Sequence, residues 1–194
     1  MVRMAAEDSV NDTTVGVRLA REEDRTYVRR LIYLANVFGD EQAELKEDVF
    51  ARDLQIYIDD WSPLIDGGVI AVSEFGVPAG GSWLRYYTGE RKGDAYMGSR
   101  QPGVDPHDQS QWATEFDPET IPELVIAAER RYSGLGVGTM LLDNICDLAR
   151  EQGAPAIALW VNKDNKRARR LYERYGFQDI QVPGEGSETM IKFF

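Results

Sequence analysis

Hydrophobic positions along the chain alternate between a period of two and a helical period, and the switches mark the elements. Val15-Gly16-Val17-Arg18-Leu19 reads as a first strand. From Glu22 to Phe38 the apolar positions Tyr27 or Val28, Leu31, Leu34 or Ala35 and Phe38 share one helical face, with Gly39 where a C-terminal cap belongs. A second helical region is predicted from Glu41 to Trp61, with Leu45, Val49, Phe50, Leu54, Tyr57, Ile58 and Trp61 at helical spacings and Pro63 just beyond. Gly68 to Glu74 and Gly80 to Tyr87 read as a hairpin around Phe75-Gly76-Val77-Pro78-Ala79. Ile121 to Ala128 is the next strand, followed by Ser133-Gly134-Leu135-Gly136-Val137-Gly138-Thr139, which opens a helix running to about Gln152. In that helix Val137, Met140, Leu141, Ile145 and Leu148 form the buried stripe, and Gly153 stops it. Ala156 to Val161 is a strand, and a helix then runs to Tyr175 before Gly176-Phe177, with Ala168, Leu171, Tyr172 and Tyr175 facing inward. Ile180-Gln181-Val182 and Thr189 to Phe194 close the chain as strands around a Pro183-Gly184-Glu185-Gly186 turn. The order β-α-α-β-β-β-α-β-α-β-β fits an α/β (α+β) fold: a mixed sheet with helices on both faces.

The 194 residues suffice for one full-sized domain. Residues 1 to 13 are polar and aperiodic and are expected to form a mobile tail, leaving residues 14–194 as a single domain. The polar segment from Thr88 to Pro118 is a long loop or insertion, of the kind that is usually functional or disordered. It holds the only histidine, His107, and no His/Cys cluster supports a metal. The single cysteine, Cys146, excludes an intramolecular disulfide and reads as a packing residue. No apolar stretch is long enough to span a bilayer and no secretory leader opens the chain, so a soluble cytoplasmic protein without a membrane partner is expected. A net charge of −11 argues against nucleic acid as a partner and weakly favours a cationic substrate.

The glycine-rich turn carries the first chemistry. The leading amides of a helix lack backbone partners and sit at the positive end of its dipole, so anions bind there, and glycines let a phosphate approach closely. A nucleotide-binding P-loop would need Gly-Lys-Ser/Thr, whereas Gly138 is followed by Thr139-Met140. A dinucleotide fold would need an acidic residue ending the next strand, and Trp160-Val161-Asn162 has none. Taken alone, the turn is as consistent with a structural strand-to-helix corner.

The stretch from Leu159 to Phe177 narrows the choice. A strand leads to Asn162 and Asp164, Asn165 opens a helix, Ala168 follows three residues on, then Leu171-Tyr172, then Gly176-Phe177. This resembles the acetyl-CoA-binding signature of the GCN5-related N-acetyltransferase (GNAT) superfamily. The turn before it resembles that family's pyrophosphate loop at Ser133-x-x-Gly136-x-Gly138, although Ser133 stands where Arg or Gln is usual. The resemblance extends more weakly over residues 15–194.

The resemblance implies a mostly antiparallel sheet whose central strands, ending near Ala128 and Val161, splay apart around the thioester arm of acetyl-CoA. It implies acetyl transfer to an amine by direct attack in a ternary complex, without a metal. Backbone amides around Ile126, Ala127 and Ala128 would polarise the carbonyl. Ser133, Gly134, Gly136, Val137, Gly138 and Thr139 would hold the pyrophosphate. Tyr172 would protonate the leaving thiolate, against the alternative of a core tyrosine, and Asn165 would contact the pantetheine arm, against that of a helix cap. Among Lys166, Arg167, Arg169, Arg170 and Arg174, or Arg130 and Arg131, one or two would meet the phosphates; a solvated basic face is the alternative. Phe38, Tyr57 and Trp61 are core aromatics or, in part, walls of the acceptor site. Glu123 is the first candidate base, followed by Glu115, Asp117 or a water chain. The expected acceptor is a small molecule. A protein N-terminal or lysine acetyltransferase and a non-catalytic acyl-CoA-binding domain stay open, as does a homodimer.

Overall fold

The computed structural model describes residues 14–38, 55–88, 116–180 and 187–194. Seven strands form one sheet in the order β1-β2-β3-β4-β5-β7-β6. They are β1 (Val15–Leu19), β2 (Gly68–Ser73), β3 (Pro78–Arg85), β4 (Glu123–Ala128), β5 (Ala156–Asn162), β6 (Gln178–Asp179) and β7 (Ser187–Phe193). The helices are α1 (Arg25–Asn36), α2 (Val137–Glu151) and α3 (Lys166–Arg174). All strand pairs are antiparallel except β4 with β5, which are parallel and share a single register pair, Glu123 with Ala158. The two central strands therefore touch at the start of β4 and part beyond it. The mixed sheet is the architecture expected from the element order, and its mostly antiparallel pairing and splayed central strands are those the family resemblance implied.

Side chains alternate along the strands and feed two cores. On one face Leu84, Leu124, Leu159 and Val161 pack with Leu141, Leu142, Ile145 and Cys146 of α2 and with Tyr172. On the other, Trp83 and Ala127 pack with Val28, Leu31, Ile32 and Leu34 of α1 and with Ile58 and Trp61. Among the described residues no helix is long and apolar enough to cross a membrane.

Several boundaries differ from the sequence expectation. Glu22–Asp24 is a 3-10 turn, and α1 proper starts at Arg25. Phe38 itself takes the left-handed φ of 55° at the end of α1; Gly39 lies outside the described residues. The second helical region falls largely in the undescribed residues, including Leu45, Val49, Phe50 and Leu54. β3 starts at Pro78, two residues early, because Pro78 already pairs with Val72 across an irregularity in the ladder. α2 starts at Val137, since Gly134 and Gly136 hold left-handed φ values of 85° and 74° that no helix continues. β6 lies at Gln178–Asp179, directly after the buried Phe177, and Ile180 follows it outside the strand; Gln181-Val182 and the expected turn at 183–186 lie outside the described residues.

The segment before β2 is clamped by a buried ion pair. Arg85 donates to Asp66 at 3.1 Å, and both side chains are almost wholly enclosed. Arg85 also donates to the carbonyls of Ile56 and Asp59, while Asp66 accepts from the Ser62 and Tyr86 amides. Removing one partner of such a pair strands the other charge, so Asp66→Ala is expected to cost about 3 kcal/mol. The urea midpoint of the variant measures this, and a midpoint equal to wild type would contradict it.

Candidate active site

The gap between β4 and β5 is where backbone polar groups go unused by the sheet. Glu129, just past β4, donates its amide to the Ala79 carbonyl at 2.9 Å. With Ala127 opposite Gly81 and Val125 opposite Trp83, the odd-numbered residues of β4 thus turn their peptide groups toward β3. The even-numbered ones turn theirs toward β5. Pro122 uses its carbonyl on the Ala158 amide at 3.0 Å, at the bridge. Farther along, the strands have parted, so the Ile126 and Ala128 amides face the gap. Ala127, the third residue expected to supply an amide, spends it on the β3 ladder and turns its side chain to the α1 core.

The loop after β4 leads to the N-terminus of α2. Arg130–Tyr132 makes a 3-10 turn, and Gly136 is the residue before the helix. A β-carbon built on Gly134 or Gly136 would meet no atom within 4 Å, so the space over the loop is open to an incoming group. Gly138 has another reason to be small: a β-carbon there would stand 3.3 Å from Leu171 Cδ2, where α2 and α3 pack. An open glycine turn ahead of a long helix fits an anionic pyrophosphate.

α3 supplies the other wall. Asn165 caps it, its side-chain oxygen accepting from the Ala168 amide at 3.1 Å, which leaves the Nδ2 group as the donor it can offer a ligand. Tyr172 is 7% exposed, stacks at a tilt on Phe177, and its hydroxyl makes no hydrogen bond to the described residues. Burial pushes its phenol above the ordinary value, so the proton is firmly held at neutral pH.

One cavity of about 830 Å³ joins these parts, a size typical of small-molecule sites. Glu123, Ile126, Ala127, Ala128, Ser133, Gly134, Gly136, Val137, Gly138, Thr139, Asn165 and Tyr172 all line it. Of the basic candidates, Arg130, Arg167 and Arg174 line it too. Arg169 instead pairs with Glu173, Asp179 and Glu188, and Arg131 donates to the Pro78 carbonyl. Phe38 and Tyr57 border the cavity, whereas Trp61 is buried and donates to the Gly67 carbonyl at 3.2 Å. Asp117 accepts from the Glu119 amide in a turn and is not among the lining residues. Glu115 and His107 lie outside the described residues. Cys146 is buried in the α2 core and burial raises its thiol, in keeping with a packing role.

Sequence reasoning passed over two features. Trp160 lines the cavity on β5 between the buried Leu159 and Val161, yet is itself 56% exposed; its phase with Asn162 rather than with the apolar positions was the available signal. Glu129 is the other. Its buried carboxylate takes two hydrogen bonds from Arg30 of α1, at 3.0 and 2.9 Å, and so ties α1 to the start of the glycine loop. Only the fold brings residues so far apart in sequence together.

Comparison with known proteins agrees with this geometry. The pattern of the acetyltransferase (GNAT) family matches residues 36–177, more than half of the chain, and the chain belongs to that family. The mycothiol acetyltransferase of Beutenbergia cavernae is 34% identical over 73 residues, 38% of this chain and 25% of that protein. An uncharacterized N-acetyltransferase of Methanocaldococcus jannaschii is 29% identical over 72 residues, 37% of this chain and 32% of its own length. The chain thus aligns with only a quarter to a third of these relatives. The fold is shared more widely. The crystal structure of SsHAT superposes with a TM-score of 0.69 at 19% identity, covering 93% of this chain and 98% of that one. The structure of yncA, a putative acetyltransferase from Salmonella typhimurium with its cofactor acetyl-CoA, superposes with a TM-score of 0.58 at 16% identity, covering 93% and 94%.

The left-handed backbone at Gly136 makes a stability prediction. Gly136→Ala places an L residue at φ 74° with no steric clash to add, so the expected cost is about 1–2 kcal/mol from the backbone alone. Denaturant unfolding tests this, and an unchanged midpoint would show that the loop relaxes freely.

Proposed function

We propose that the protein transfers the acetyl group of acetyl-CoA to an amine of a small-molecule acceptor by direct attack in a ternary complex. The observation that carries this reading is the convergence, in one cavity, of gap-facing β4 amides, an open glycine turn at a helix N-terminus and the Tyr172 hydroxyl. The acetyl thioester supplies the electrophile. The loop amides around Gly134 to Thr139 and the Arg130 guanidinium neutralise phosphate charge. Asn165 offers its amino group to the pantetheine arm. The Ile126 amide donates to the thioester carbonyl and gains strength as that oxygen becomes anionic.

Tyr172 donates to the sulfur as the carbon–sulfur bond breaks. With its phenol raised above the usual value, it acts first as a hydrogen-bond donor to the developing thiolate, and the proton follows as the amine gives up its own. Glu123 is 7% exposed and lines the same cavity. It lies three residues before Ile126 on β4, about 10 Å along the strand. At that reach it takes the amine proton either directly from an acceptor lying between them or through a bound water.

Two kinetic predictions test the assignments. Tyr172→Phe is expected to lower kcat by about 100-fold while leaving the acetyl-CoA Kd within a few-fold; unchanged turnover would remove the tyrosine from the chemistry. Glu123→Gln should depress kcat/KM for the amine at neutral pH by about tenfold or more and recover at alkaline pH, where the free amine is already neutral. A pH profile parallel to wild type would assign proton removal to another group.

A further inference from the structure

Part of the cavity lining lies away from the glycine loop and α3. On the α1 side of the sheet, β4 presents Glu123 and Val125. β5 presents Trp160, opposite in phase to the buried Leu159 and Val161. α1 and the segment after it add Ile32, Phe38 and Tyr57 to the same lining. Phe38 and Trp160 are 49% and 56% exposed, large aromatic rings left open to the cavity.

Three rings and two aliphatic chains thus share the cavity lining with one buried carboxylate. A desolvated carboxylate favours a cation beside it, and aromatic faces attract both cations and flat apolar bodies. Among the described residues, the arginines that line the cavity are Arg130, Arg167 and Arg174, all on the glycine loop or α3, the side assigned to the coenzyme. A carboxylate attached next to the acceptor's amine would instead be brought against Glu123. We propose that the acceptor is an arylalkylamine, a primary amine on a short chain that ends in an aromatic ring and bears no carboxylate beside the nitrogen. Phe38, Tyr57 and Trp160 hold the ring, and Glu123 faces the amine. This assignment rests on the acetyl-transfer reading above.

The test measures coenzyme A release by the intact protein at saturating acetyl-CoA with four probes: 2-phenylethylamine, ethylamine, L-phenylalanine and spermidine. The expected kcat/KM for 2-phenylethylamine exceeds each of the others by about tenfold or more. Trp160→Ala and Phe38→Ala should each raise its KM by about tenfold and leave the acetyl-CoA Kd within twofold, and Trp160→Phe should restore most of the loss. Equal turnover of the probes, a preference for L-phenylalanine or spermidine, or unchanged KM in both alanine variants would overturn the proposal. Acetyl-CoA binding measured alongside separates the two levels of failure. Absence of binding by the wild-type protein brings down the acetyl-transfer reading, whereas binding with unselective turnover, or with none, brings down the acceptor assignment alone.

Discussion

The single bridge between β4 and β5 is the constraint on which this molecule turns. Two parallel neighbours in a sheet normally exchange hydrogen bonds along their length, because a buried unpaired peptide group is costly. Here one register pair joins them and the rest of the shared edge opens. The peptide groups so released point into a cavity instead of into a ladder, and the strands on either outer side stay fully paired with β3 and β7. A cleft through the middle of a sheet is stable only where something else fixes both strands. β4 is held by its ladder to β3, and the Arg30–Glu129 pair ties its far end to α1. β5 is held by seven register pairs with β7.

From that opening the other parts take their places. The chain leaving β4 must turn sharply to enter α2, and left-handed glycines at 134 and 136 make the turn while leaving its outer face clear. α3 packs against α2 where Gly138 meets Leu171, and this contact sets Tyr172 at the cavity wall. The half of the site proposed for the donor is thus a consequence of backbone geometry. The half proposed for the acceptor is built from side chains on the opposite face of the same strands, with α1 as its outer wall.

That the residues proposed for the donor line one cavity was legible in the sequence because they are close along the chain. Glycines at 134, 136 and 138, a capping Asn165 and a tyrosine nearly two helical turns into α3 lie within a short run of chain, and their spacing survives folding. The acceptor half was less legible. Phe38, Tyr57, Glu123 and Trp160 come from four separated segments, and only the sheet's strand order places them together. Trp160 looked like one more apolar residue in a strand, and only its phase with Asn162 set its face apart from that of Leu159. Trp61, at a helical spacing from Tyr57 in the sequence, packs in the α1 core, and its indole N–H donates to the Gly67 carbonyl. The Arg30–Glu129 pair was invisible for the same reason: long-range ion pairs leave no periodicity. Boundaries slipped where turn chemistry prevailed over pattern, as at Pro78, which pairs in the sheet despite lacking an amide to give it.

The central claim is that the gap between β4 and β5, with its glycine turn, is a site for acetyl-CoA. Calorimetric titration of the purified protein with acetyl-CoA, with NAD as a control ligand, tests it most directly. The account predicts saturable binding of one acetyl-CoA per chain with a Kd on the order of micromolar, worth about 8 kcal/mol, and no heat from NAD. A folded protein that binds no acetyl-CoA would contradict it and leave the glycine turn as a structural corner between strand and helix.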